Sequence, residues 1–165
     1  MPLLDTLIEF AHPWAKFYSK SHTAQALVTF THIAGMLGGG GLAIAADRTM
    51  WKARTAASDV RTRLLSEVDR LHRPVLIGLA LVVISGLFMA AADIETFGPS
   101  PIFWGKMVAF VLLLANGAWL QSIERGLQRS PVAADAAWAK LTMASRISYA
   151  LWFTVALGGV LLKNA

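Results

Sequence analysis

Apolar and polar positions fall along this chain in long blocks rather than in short alternation. From Ala24 to Ala46 no formal charge interrupts the apolar run, and comparable blocks follow at 75–92, 103–120 and 147–162. A bilayer core about 30 Å thick is crossed by roughly 20 apolar residues in a helix, so each block is read as a membrane span. The pattern predicts an all-α fold, an integral membrane four-helix bundle in one domain over residues 1–165.

The flanks carry a different periodicity. In the polar stretch from Asp47 to Arg73, Val60, Leu64, Val68 and Leu71 recur at helical spacing with arginines between them, which predicts an amphipathic extension outside the membrane. Pro74 marks the kink where that extension meets the second span. Ser130-Pro131 reads as an N-cap with proline at the first helical position, so the fourth helix begins in water and enters the bilayer after Arg146. At the N-terminal end, Leu3, Leu4, Leu7, Ile8, Phe10, Ala11, Trp14 and Phe17 give one apolar face with aromatic residues. They predict an amphipathic helix lying in the outer interface. Ala43-Ile44-Ala45 imitates a signal-cleavage site, but the apolar run before it is too long and basic residues follow it.

Charge orients the spans, because Lys and Arg are retained on the cytoplasmic side of short loops. The first loop holds Arg48, Lys52, Arg54, Arg61, Arg63, Arg70 and Arg73, and the third holds Arg125, Arg129, Lys140 and Arg146. The other side keeps Lys16, Lys20 and Lys163, with Lys106 just inside a span, and its loop Asp93-Ile94-Glu95-Thr96-Phe97-Gly98 is acidic. The chain is therefore expected in a bacterial inner (cytoplasmic) membrane with both termini outside and its helix extensions cytoplasmic. The net charge of +5 is read as a topology signal, and nucleic acid is not an expected partner.

With 56% hydrophobic and 15% charged residues, the chain departs from the roughly 25% charged residues of soluble proteins. The absence of cysteine excludes disulfides, iron–sulfur clusters, thiolate zinc sites and covalent haem attachment. No Asp or Glu lies within the spans to relay ions, and no phosphate-binding loop supports a pump.

The candidate chemistry begins with His32, about 12 Å below the outer boundary at 1.5 Å per residue. An ionisable group at that depth calls for a partner or a task. On a helical wheel Gln25, Val28, His32, Met36 and Gly39 share one stripe, flanked by Thr29 and Gly35. Gly35 and Gly39 are spaced for close helix packing, and the same smooth surface beside an imidazole admits a flat macrocycle with His32 as an axial ligand. Lys106 is read as an interfacial anchor or as a cation for a haem propionate. Met36, Met89 and Met107 supply thioethers suited to haem iron or Cu(I). His12 and His22 are expected to be solvated. His72 lies at the opposite interface, too far away to share an iron with His32. Ser85 and Asn116 are read as interhelical hydrogen-bonding groups, and Gly78, Val82, Ser85 and Met89 as one contact face of the second span.

The segment His32-Ile33-Ala34-Gly35-Met36-Leu37-Gly38-Gly39 is similar to the first helix of the copper-resistance D superfamily of bacterial membrane proteins. Arg61-Thr62-Arg63-Leu64-Leu65, Ser85-Gly86-Leu87-Phe88-Met89 and Phe103-Trp104-Gly105-Lys106-Met107 resemble the related membrane protoporphyrinogen IX oxidases, over residues 24–162. The resemblance implies that His32 and Lys106 flank a tetrapyrrole. Where those relatives place a further histidine late in the third helix, this chain has Asn116-Gly117, which puts full oxidase chemistry in doubt.

Two functions are expected from these readings. One is binding of b-type haem or a porphyrin, for electron transfer or porphyrin oxidation, through His32, Lys106, Met36, Met89, Gly35 and Gly39, with His32 as metal ligand. The other is a cofactor-free protein that handles copper through His22, His32, Met36 and Met89, or docks a partner on its glycine face. The expected partners are the lipid bilayer and a membrane redox protein or a second copy of the chain.

Overall fold

A computed structural model describes residues 2–129 and 135–164, and it is helical throughout these residues apart from short turns. The elements are α1 (Pro2–Lys20), α2 (His22–Gly35), a π-helical turn (Met36–Gly40), α3 (Gly41–Ala53), α4 (Ser58–Asp69), α5 (His72–Ala92), α6 (Ile94–Phe97), α7 (Pro101–Arg129) and α8 (Asp135–Asn164). Four helical stretches are long and apolar enough to cross a membrane: His22–Ala53, Ser58–Ala92, Pro101–Arg129 and Asp135–Leu162. Most side chains along them face outward, as in Phe30, Leu37, Leu87 and Val111. Such exposure would be costly in water and costs nothing against lipid tails.

Local chemistry explains the boundaries. Ser21 is the N-cap of α2, its Oγ accepting from the Ala24 N–H at 3.2 Å. Gln25 donates from Nε2 to the carbonyls of Tyr18 and Ser19 at the end of α1. It thereby satisfies acceptors that a helix C-terminus leaves open. The predicted kink at Pro74 is displaced by a few residues. The chain breaks after Asp69 and restarts at His72, so Pro74 falls in the first turn of α5, where its missing N–H leaves no bond unmade. The proposed cap at Ser130-Pro131 lies outside the described residues.

α1 packs across the C-terminal end of α5. Trp14 Nε1 donates to the Phe88 carbonyl at 2.8 Å, and the two rings lie 5.0 Å apart. Leu7, Phe10 and Phe17 remain exposed, Phe10 to 87%, so this helix keeps an apolar face that the bundle does not cover.

At the other end, α3, α4, α7 and α8 project together and build a core from Met50, Ala53, Leu65, Val68, Leu127, Trp138 and Leu141. The amphipathic extension is present: Val68 is buried and Leu64 packs on this core as expected, Leu71 is half-buried, Leu65 joins them, and Val60 alone of the expected face is exposed. Arg61 joins the two basic connections at this end, its guanidinium 5.1 Å above the Trp138 ring and 3.7 Å from Asp135.

The four spans do not close into a square. α5 packs on α2 and the π turn, α3 on α8, and α8 on α7, whereas α5 and α7 barely touch. Glycine permits the closest of these contacts. A Cβ on Gly78 would lie 2.4 Å from the Gly39 Cα, and one on Gly35 would lie 2.8 Å from the Gly78 carbonyl oxygen. The α2–α5 crossing is thus made backbone to backbone, as small residues allow in membranes. One step on, Gly40 makes room for the ring of Trp152 on α8. Between α7 and α8, Asn116 Nδ2 donates to the Ala144 carbonyl at 2.9 Å.

Candidate functional site

The unclosed seam between α5 and α7 contains two cavities, one above the other. Trp152 lines both, and so stands as the partition between them. Ala109, Leu113 and Val155 pack around it.

The cavity nearer α1 encloses about 270 Å³ and is lined by His32, Met36, Met89, Lys106 and Met107 among apolar neighbours. Four of the six residues singled out from the sequence therefore meet here, from α2, the π turn, α5 and α7. Gly35 and Gly39 do not join them, since both are occupied by the contact with Gly78. The small-residue spacing serves packing at these two positions. His22 and His12 are exposed and line no part of this cavity.

A hydrogen bond orients the ring of His32. Ser85 Oγ donates to the Leu81 carbonyl, so its remaining role toward His32 Nδ1, 3.0 Å away, is as acceptor. With the hydroxyl donating to Leu81, Nδ1 carries the proton, and in the neutral ring Nε2 then keeps its lone pair on the side away from Ser85. A histidine ligand is normally oriented by a bond of this kind through its other nitrogen. Gly86 leaves space for the ring, because a Cβ there would approach His32 Cε1 to 3.2 Å. Of the expected α5 face, Gly78, Val82 and Ser85 are buried and Met89 opens into the cavity.

Lys106 reaches the same space from α7. Its stem crosses Gly158 and Gly159 of α8, where a Cβ on Gly158 would meet the Lys106 Cβ at 3.2 Å. Among the described residues no carboxylate lies within ion-pair distance of its ammonium. One cation without an anion, one oriented imidazole and three thioethers in an apolar cavity suit an anionic, largely apolar ligand with a metal centre. Ser85→Ala tests the orienting bond. Loss of such a support typically costs about 10- to 100-fold in metal affinity, so a metal centre held by His32 is expected to bind at least tenfold more weakly to the variant.

The second cavity, about 250 Å³, lies toward the basic end and is lined by Asp47, His72 and Glu124 together with Leu79, Leu113 and Trp152. Asp47 is 4% and Glu124 2% exposed. His72 Nδ1 donates to the Asp69 carbonyl at 3.1 Å, and its Nε2 lies 3.0 Å from Glu124 Oε2. The hydroxyls of Ser148 and Ser145 stand beside the Asp47 carboxyl. Sequence reasoning missed this group. Asp47 follows the first apolar run directly, and Glu124 lies in a polar stretch, so neither carries a sign of burial. The one available signal was that an acid closes a span at a boundary otherwise furnished with arginines.

The chain matches no family model, no curated protein and no solved structure.

Proposed function

We propose that this chain is a multi-pass inner-membrane protein that binds b-type haem or a related porphyrin in the outer cavity, for electron transfer or porphyrin oxidation. The observation that carries this reading is the His32–Ser85 bond, which orients an imidazole within an apolar cavity shared with a lysine that has no ion-pair partner among the described residues. Bound there, haem would supply one-electron chemistry at its iron. His32 would hold the metal, Lys106 would pair with a propionate, and Met89 or Met36 would offer a thioether.

The residues fit the group in donor type. At about 270 Å³ the cavity lies just below the range of about 300–1,000 Å³ usual for small-molecule sites. The open α5–α7 seam beside it accommodates a ligand edge in contact with lipid. The resemblance to the copper-resistance D superfamily and the membrane protoporphyrinogen IX oxidases points the same way through His32 and Lys106. The basic residues of the first and third connections gather at one end, which by the positive-inside rule is the cytoplasmic one. Both termini then lie outside, and α1 rests in the outer interface on its uncovered apolar face.

A second reading is Cu(I) handling, favoured by the presence of Met36, Met89 and Met107 around His32 in one cavity. Oxidised and dithionite-reduced visible spectra of the detergent-purified protein, with a pyridine haemochrome count and metal analysis, separate the two. A stoichiometric b-type signal is expected. A preparation that remains colourless after haem addition and retains copper would transfer the assignment to copper.

Lys106→Met provides a further check. A charge-assisted hydrogen bond is worth about 1.5–3 kcal/mol, so haem affinity is expected to fall roughly 10- to 100-fold. The band shape of the bound fraction should not change, because the imidazole ligand is untouched. Unaltered affinity would remove Lys106 from the site.

A further inference from the structure

The inner cavity has no part in haem binding, yet it contains buried charge that the protein itself does not satisfy. Asp47 Oδ2 and both carboxyl oxygens of Glu124 have no hydrogen-bond partner, although both carboxyls are more than nine-tenths buried. A buried carboxylate is tolerated when it is paired, and leaving it unpaired costs several kcal/mol.

The charges around the cavity can be counted. His72 Nδ1 must donate, because the Asp69 carbonyl can only accept. His72 Nε2 stands 3.0 Å from Glu124 Oε2, so a protonated imidazole would balance this carboxylate. Asp69 on α4 lies 3.7 Å from His72 Nδ1 and is itself largely exposed. From α8 only the hydroxyls of Ser145 and Ser148 face Asp47, and no lysine or arginine lines the cavity. An ionised Asp47 would have no lysine or arginine counterion among the residues that line the cavity.

The shape of the cavity selects what could balance it. Its walls are Leu71, Val75, Leu79, Leu113 and Trp152, and its rim includes Leu76, Leu114, Gly117 and Ala118. All four rim residues are exposed on the flank of the bundle, so the opening faces lipid.

We propose that the inner cavity binds a primary ammonium group carried on an apolar body and admitted sideways from the membrane. The ammonium would donate to Asp47 Oδ2 and Glu124 Oε1, and the apolar body would lie against Leu79, Leu113 and Trp152. The three N–H donors of an ammonium match the three unpartnered carboxyl oxygens, Asp47 Oδ2 and Glu124 Oε1 and Oε2. Both a free alkylamine and the headgroup of an aminophospholipid have this chemistry.

The test is a thermal-unfolding titration of the full-length protein in detergent with n-hexylammonium chloride, alongside 1-hexanol as the neutral counterpart. A saturable rise in Tm with the ammonium and none with the alcohol is expected. Asp47→Asn should weaken the response at least tenfold. Should that variant fold poorly, Gly117→Leu serves instead, since a Cβ there meets nothing within 4 Å and the longer side chain fills the rim. It should remove the ammonium response and leave the outer cavity's haem titration unchanged. Equal stabilisation by hexanol, or undiminished binding to Asp47→Asn and Gly117→Leu, would overturn the proposal. Competition by dioctanoylphosphatidylethanolamine but not by its choline analogue would support a lipid headgroup as the source. Absence of competition beside a retained hexylammonium response would support a free amine.

Discussion

If the outer cavity binds haem as proposed, His32→Ala is expected to insert into the membrane and elute as the parent protein does, with b-type pigment reduced to less than a tenth. The substitution removes the only imidazole in the outer cavity and leaves Ser85, Met36, Met89 and Lys106 in place. The fold should survive it, because the ring contributes one interhelical hydrogen bond, and such bonds in membranes average about 0.6 kcal/mol. The loss of a metal–ligand bond is much the larger effect, so pigment and stability should separate. Imidazole added to the variant should restore part of the visible band by occupying the space left above Gly86. His22→Ala is the matched control, since His22 is exposed at the start of α2, and its pigment should equal that of the parent. Full pigment in His32→Ala would withdraw His32 as a ligand.

The second large effect is expected at Gly78, and it does not depend on any cofactor. Gly78→Ala places a methyl group 2.4 Å from the Gly39 Cα and 2.6 Å from the Gly39 nitrogen. Both are backbone atoms, so the clash is relieved only by moving α2 away from α5. Overpacking costs about 1–3 kcal/mol where side chains can shift, and here about 3 kcal/mol or more is expected. The measurement is unfolding in mixed micelles of dodecyl sulfate and a mild detergent. Gly38→Ala is the comparison, because a Cβ there meets nothing within 4 Å. Alanine in place of an unneeded helical glycine should leave stability unchanged or slightly raised. Separation of α2 from α5 also parts His32 from Ser85, two helical turns along the same contact, so Gly78→Ala should lose pigment together with stability. Equal behaviour of the two alanine variants would show that the glycine contact does not hold α2 to α5.

The two sets of substitutions address different levels of the molecule. His32→Ala removes chemistry and keeps the frame, whereas Gly78→Ala breaks the frame that aligns the chemistry. A b-type site that responds to both, while His22→Ala and Gly38→Ala stay silent, would locate the ligand at the α2–α5 contact.

Much of this architecture could be read from residue order alone. Four apolar blocks of bilayer length leave a helix as the only economical way to satisfy the backbone in lipid, so helical content and span number follow from hydropathy. His32 and Lys106 stood out because ionisable groups are rare in apolar runs. Helical periodicity then placed Met36 beside His32, one turn along the same face.

What periodicity does not carry is which face meets which helix. Gly35 and Gly39 looked equally suited to a macrocycle and to a neighbouring helix, and the choice was made by Gly78, more than thirty residues away. The orientation of His32 depends on Ser85, which sequence marks only as a polar residue at depth. Asp47 and Glu124 lie on different helices, and their burial comes from the packing of α3, α7 and α8 beyond the apolar spans. The open α5–α7 seam, with Trp152 dividing its two cavities, is likewise a property of four helices that make three of the four contacts available to them. Hydropathy determined that four helices are long and apolar enough to cross a membrane, because desolvation of each residue is a local cost. Tertiary packing alone decided where space, lone pairs and unpaired charge were left between the helices, because these arise from atoms distant in sequence.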